Sequence, residues 1–147
     1  MSSFQVIVGS MLGGSEYVAE ACEETLLALG HEVEVHLQPD FAQISNKKQT
    51  WLICTSTHGA GDYPDNIQAF VTDLEKSDQD LSSISFLTIG LGDSSYDTFC
   101  YTKKKINKLL ISKGCNELTP LITLDMSEDI DPEVCSQQWL NDNKDHL

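Results

Sequence analysis

The sequence predicts an α/β fold: a mostly parallel sheet covered by helices. Three observations carry this. Apolar and amphipathic segments follow the order β-α-β-β-α-β-α-β-α. Most strand segments are apolar at consecutive positions, which marks strands buried on both faces. Loops rich in glycine follow the first, third and fourth strands and hold six of the nine glycines, Gly13, Gly14, Gly59, Gly61, Gly90 and Gly92.

Phe4 to Val8 is the first apolar run, ended by Gly9-Ser10. A turn from Ser10 to Gly14 leads to Ser15, a residue suited to an N-cap, with Glu16 in the first helical turn. Val18, Ala21, Cys22, Thr25, Leu26 and Leu29 keep helical spacing, and Gly30 is placed to end the helix at C′. His31 to Leu37 alternates with β-branched residues and reads as the second strand; Trp51 to Thr55 reads as the third. A helix is expected from about Asn66 to Glu75, and a fourth strand from Ile84 to Leu91, broken by Gly90 and Gly92. Then come a basic helix from Tyr101 to Lys113 with Gly114 at its end, a fifth strand from Leu118 to Leu124, and a last helix from Pro132 to about Lys144.

The 147 residues suit one domain, 1–147, with a core that needs no staples. Nine basic residues, all lysine, face 23 acidic ones, for a net charge of −14. Without arginine there is no bidentate clamp for phosphate or carboxylate, and the cysteine-plus-arginine phosphatase loop is excluded. Repulsion disfavours nucleic acid and points to a basic protein partner. No apolar run approaches the roughly 20 residues of a membrane span, and no basic segment suggests a signal peptide. The five cysteines lie far apart, with no C-x-x-C pair for a metal. They read as free thiols in a reducing cytoplasm, the apolar ones as small buried hydrophobes.

In an open α/β sheet, ligands bind at the carboxyl ends of the strands. The first loop there, Ser10-Met11-Leu12-Gly13-Gly14-Ser15, opens onto a helix N-terminus, where backbone N–H groups can cradle an anion without a basic side chain. The same residues also suit an ordinary serine-capped turn. The second loop contains Thr57, His58, Gly59, Ala60 and Gly61, where glycines permit close approach of a flat ligand. The third contains Leu91, Gly92, Asp93, Tyr96, Thr98, Phe99 and Cys100, with Tyr96 a candidate stacking platform. Singly these residues also suit packing or capping; together they are far more specific.

With these segments the chain resembles the flavodoxin family along its whole length, and within it the short-chain MioC-type members. The most specific stretches are Gly13 to Glu20, Ser56 to Asn66 and Tyr96 to Cys100. The resemblance implies a three-layer, doubly wound flavodoxin-like fold, with a five-stranded parallel sheet in the order 2-1-3-4-5 and helices on both faces. It implies non-covalent FMN at the strand ends: Ser10 to Ser15 around the ribityl phosphate, and Thr57 to Gly61 with Leu91 to Cys100 flanking the isoalloxazine ring. Two departures stand out. His58 occupies an inner-face position that many flavodoxins fill with an aromatic residue, and Met11 and Leu12 stand where many relatives carry hydroxyls.

The implied activity is electron carriage, with the chemistry in the cofactor. No G-x-S-x-G elbow, H-E-x-x-H pair or other catalytic constellation is present in the sequence. The resemblance further implies a separate NADPH reductase of the flavodoxin/ferredoxin type as donor, and a flavodoxin-dependent acceptor such as biotin synthase. A phospho-accepting receiver domain shares the topology but needs carboxylates where this chain has Gly9-Ser10 and Ser56-Thr57. A module that kept the fold and lost its flavin is the other alternative.

Overall fold

A computed structural model describes residues 3–9, 14–44, 49–56, 65–78, 80–92, 101–119, 121–125 and 130–147. The elements run β1 (Ser3–Gly9), α1 (Gly14–Ala28), β2 (Glu32–His36), β3 (Thr50–Ser56), α2 (Asp65–Lys76), β4 (Ser85–Gly92), α3 (Tyr101–Ser112), β5 (Asn116–Glu117), β6 (Ile122–Asp125) and α4 (Pro132–Asp142). A 3-10 turn, Lys144–His146, follows α4. The strands form one parallel sheet in the order β2-β1-β3-β4-β5, with β6 also paired to β4.

The predicted strand order is therefore observed, with one correction. The expected fifth strand, Leu118 to Leu124, forms only from Ile122 onward, and a separate two-residue strand precedes it. Asn116 and Glu117 pair with Ser85 and Phe86, and Ile122–Asp125 pair with Ile89–Gly92. On β4 only Leu87 and Thr88 separate these pairings, whereas four residues, 118–121, separate them on the partner side. The Leu118 N–H still bonds the Phe86 carbonyl at 3.0 Å. Two surplus residues break the ladder beyond that point, in a stretch containing Pro120, which has no N–H to donate. Gly90 and Gly92, by contrast, do not break β4, because both pair within the sheet.

Each face of the sheet carries its own core, as expected for strands that are apolar at consecutive positions. On one face Ile7, Trp51, Ile53 and Phe86 pack with Ile67, Phe70 and Leu74 of α2, and with Ile106 and Leu110 of α3. Phe41 and Ile44, from the connection between β2 and β3, close this core. Phe41, Trp51 and Phe70 meet with ring centroids 6.0 to 6.5 Å apart, in tilted and edge-on geometry. On the other face Phe4, Val6, Val8, Leu52, Cys54, Leu87 and Ile89 pack under Val18, Cys22 and Leu26 of α1 and Leu140 of α4.

The helix ends follow their sequence signals. Gly30 (φ +91°) and Gly114 (φ +93°) both adopt the left-handed conformation. In each, the next residue reaches back five positions, His31 N–H to the Leu26 carbonyl and Cys115 N–H to the Leu110 carbonyl, both at 3.1 Å. These are Schellman closures of α1 and α3. Asp131 caps α4, its Oδ1 accepting from the N–H groups of Glu133 (3.1 Å) and Val134 (3.2 Å), with Pro132 leading the helix. Lys113 Nζ donates to the carbonyls of Glu75 and Ser77 at 2.9 Å, binding the end of α2 to α3. None of the described helices is long and apolar enough to cross a membrane.

Candidate functional site

The strand ends fix where the three loops leave the sheet. Gly9 stands beside Thr55, and Ser56 stands beside Leu91, so β1, β3 and β4 end side by side. Gly92 pairs with Asp125 at the end of β6. The loops after Gly9, Ser56 and Gly92 therefore spring from adjacent positions along one edge, the carboxyl edge of a parallel sheet.

Two contacts shape that edge. A Cβ on Gly9 would lie 2.6 Å from Thr55 Oγ1 and 2.7 Å from Ile67 Cδ1, so glycine is what lets α2 seat against the end of β1. Asn66, at the start of α2, donates from Nδ2 to the Val8 carbonyl (2.6 Å) and to the Leu37 carbonyl (2.9 Å). One side chain thus ties α2 to the ends of β1 and β2. Deeper in the sheet, the Thr88 hydroxyl donates to Asn107 Oδ1, and Asn107 Nδ2 donates to Glu117 at 2.6 Å, which locks α3 against β4 and β5.

Gly14 and Ser15 open α1, so Ser15 lies inside the first turn and is not the N-cap residue the sequence suggests. The inward-facing pattern of α1 explains this: Ser15, Val18, Ala19, Cys22 and Leu26 are all buried, at helical spacing. Ser15 is 1% exposed, and its Oγ has no hydrogen-bond partner among the described residues. A buried hydroxyl left unpaired costs free energy, and one at a helix N-terminus sits where the orphan N–H groups and the dipole favour an anion. A buried hydroxyl so placed fits a phosphate group, and among the described residues of the predicted loops Ser15 is the one whose side chain carries that signal.

Leu91 is buried in the core beneath α1 and α4, and Gly92 ends β4. The other predicted site residues lie outside the described residues: Ser10, Met11, Leu12 and Gly13 of the first loop, Thr57, His58, Gly59, Ala60 and Gly61 of the second, and Asp93, Tyr96, Thr98, Phe99 and Cys100 of the third.

The described cysteines behave as packing residues. Cys22 of α1 and Cys54 of β3 are buried side by side, and the hydrogen bond to Cys22, then burial, hold the Cys54 thiol well above its ordinary pKa. Burial pushes Cys115 up to about 11. Neutral, enclosed thiols of this kind are not nucleophiles. No group of three or more metal-ligating side chains occurs among the described residues.

The likeness to known proteins runs through both sequence and fold. The Flavodoxin family model matches residues 6–139. The protein MioC homolog of Pasteurella multocida is 42% identical over 135 residues, covering 92% of this chain and 91% of the relative. Protein MioC of Escherichia coli is 36% identical over 140 residues, covering 95% of each. Among solved structures, a flavodoxin from Pseudomonas aeruginosa, solved as a cysteine-to-alanine variant, superposes with a TM-score of 0.91 at 30% identity, covering 99% of this chain and 98% of that one. With a family match over most of its length, relatives up to 42% identical over 92% of the chain and a parallel sheet in the order expected, this chain belongs to the flavodoxin family.

Proposed function

We propose that the whole of 1–147 acts as one FMN-binding domain of the MioC type, shuttling single electrons from a separate NADPH reductase of the flavodoxin/ferredoxin type to an acceptor enzyme such as biotin synthase, in the cytoplasm. Membership of the flavodoxin family carries FMN as cofactor and electron carriage, not substrate turnover, as activity. When bound, FMN supplies the redox chemistry. The chain's own part is to hold, orient and shield.

The observation that carries the proposal is the buried, unpaired Ser15 hydroxyl at the head of α1. Ser15 and the first N–H groups of α1 would hold the terminal phosphate, joined by Ser10, Met11, Leu12, Gly13 and Gly14. Backbone donors suit a chain that has no arginine to offer. Thr57 to Gly61 and Leu91 to Cys100 would flank the ring, with Tyr96 stacking on its outer face and His58 on the inner side. The acidic surface would steer a basic donor or acceptor without tight binding, as a shuttle requires.

Titration of the purified protein with FMN, riboflavin and FAD tests this. The expected result is one FMN per chain, with riboflavin weaker because it lacks the phosphate. Equal affinity for riboflavin, or no flavin bound, would overturn it.

A further inference from the structure

A recessed surface lies between α1 and α4. Tyr17, Glu20, Ala21 and Glu24 of α1 follow the i, i+3, i+4, i+7 spacing of one helical stripe. Facing them are Glu133, Val134 and Gln137 of α4. Between the two stripes is a groove of about 300 Å³. Its floor is fixed: Ala21 is buried, and Gln137 Nε2 donates to the Ala21 carbonyl at 3.0 Å, a contact between residues 116 apart in sequence.

The groove is apolar at one end and acidic along its length. Tyr17 is 62% exposed and Val134 58%, each in the first turn of its helix, and no core packing explains that exposure. Glu20, Glu24 and Glu133 are also exposed, and none of the three ion-pairs with a described residue. The wider charge pattern reinforces this. The segments of α1 and α4 contain Glu16, Glu20, Glu23, Glu24, Glu133 and Asp142 and not one lysine. The four lysines of α3, Lys103, Lys104, Lys105 and Lys108, belong to a helix whose Ile106 and Leu110 pack on the opposite face of the sheet. Lys144 follows α4 at the end away from Glu133 and Val134, so the field over the groove is negative.

We infer that the α1–α4 groove is a docking site for a helix of a protein partner that presents one row of apolar side chains bordered by lysine or arginine. The stripe from Tyr17 to Glu24 spans about 10 Å, two turns of helix, and so matches a helical segment of the same length that sets its apolar side chains against Tyr17 and Val134 and its cations against the glutamates. Tyr17 and Val134 supply the anchor, and the three carboxylates supply orientation and encounter rate. A small molecule is a poorer occupant, because small-molecule sites enclose their ligands, whereas five of the seven lining residues here are exposed. A second copy of this chain is also a poorer occupant, since each copy carries −14. The inference goes beyond electron carriage and does not depend on the cofactor.

The test uses isotope-labelled, FMN-loaded full-length protein titrated with a short synthetic helix bearing leucine along one side and lysine on both flanks. The expected result is amide shift changes centred on Tyr17, Glu20, Glu24, Val134 and Gln137. Affinity should fall roughly tenfold both in the double variant Tyr17→Ser/Val134→Ser and in the triple variant Glu20→Gln/Glu24→Gln/Glu133→Gln. Shift changes centred elsewhere, or no binding, would overturn the inference. So would loss of affinity in the charge variant alone, which marks diffuse electrostatic adhesion. A dimer in sedimentation that the apolar variant abolishes would replace the partner helix with a second copy. Flavin absorbance, read from the same samples, reports on the cofactor separately, since none of these five side chains belongs to the proposed flavin loops.

Discussion

Asn66 Nδ2 lies 2.6 Å from the Val8 carbonyl oxygen, joining the first turn of α2 to the last residues of β1 just before the first loop departs. The same amide also bonds the Leu37 carbonyl at 2.9 Å, so one side chain fixes two strand ends. Asn66→Ala removes both bonds, at a cost of about 1–3 kcal/mol. Asn66→Asp is expected to cost more, because it turns a carboxylate toward two carbonyl oxygens. Urea unfolding of the apo-protein checks both, and equal stability of the three proteins would show that the contact does not hold the edge.

Ser15 makes the opposite prediction for the apo-protein. Its buried hydroxyl has no described partner, so Ser15→Ala relieves a desolvation cost and leaves the apo-protein as stable as before, or more stable by up to about 1 kcal/mol. FMN affinity should nevertheless fall, by about tenfold for the loss of one hydrogen bond to a charged group, while riboflavin affinity stays unchanged. Fluorescence titration with the two flavins separates these outcomes. A parallel drop for both would place Ser15 in the packing and not at the phosphate.

Gly9 is a steric prediction. An alanine Cβ there would meet Thr55 Oγ1 at 2.6 Å and Ile67 Cδ1 at 2.7 Å, so α2 or the Ile67 side chain must give way. Gly9→Ala should destabilise by roughly 1–3 kcal/mol. Adding Ile67→Val deletes the Cδ1 atom and should recover part of that loss, giving a positive coupling in a double-mutant cycle. Strict additivity of the two substitutions would mean that they do not meet.

Much of this fold is legible in the sequence because its signals are local. Strands buried on both faces appear as uninterrupted apolar runs, and Gly30 and Gly114 announce their helix ends through the one conformation that favours glycine. Where sequence and structure differ, a single local signal competes with packing. Ser15 looks like a cap by residue type, but its place in the buried stripe of α1 puts it inside the helix. The stretch from Leu118 to Leu124 looks like one strand by hydropathy, yet its pairing with β4 begins only at Ile122, while Asn116 and Glu117, just before it, pair separately with Ser85 and Phe86. At the candidate site, the loops show in their glycines, but the unpaired state of Ser15 Oγ is a property of packing. The α1–α4 groove is not legible in the sequence, since its walls are brought together by contacts between residues more than 100 positions apart, such as Gln137 Nε2 to the Ala21 carbonyl.

Two histidines set an acid limit on stability. Burial holds His36 below the ordinary histidine value, outweighing the opposite pull of Glu34, and His31 is likewise lowered, by burial and then by the N-terminal charge. His36 Nε2 faces Gln5 Oε1 at 2.6 Å, and Gln5 Nε2 in turn donates to Gln49 Oε1 at 3.2 Å, so the ring is held in a chain that runs from β2 through β1 to the residue just before β3. Because the folded pKa lies below the unfolded one, the unfolded chain takes up protons first as pH falls. The stabilising contribution of the neutral rings is therefore fully present above about pH 6.5 and is lost as pH drops from there toward the lowered folded value. Unfolding midpoints in urea between about pH 8 and 5.5 should show stability falling in that window, before most carboxylates titrate. His36→Gln should flatten part of the slope, and a further change of His31 to Gln should flatten more. A slope unchanged in the double variant would assign the acid sensitivity to the carboxylates instead, and a slope of opposite sign would mean that the Glu34 charge outweighs burial at His36.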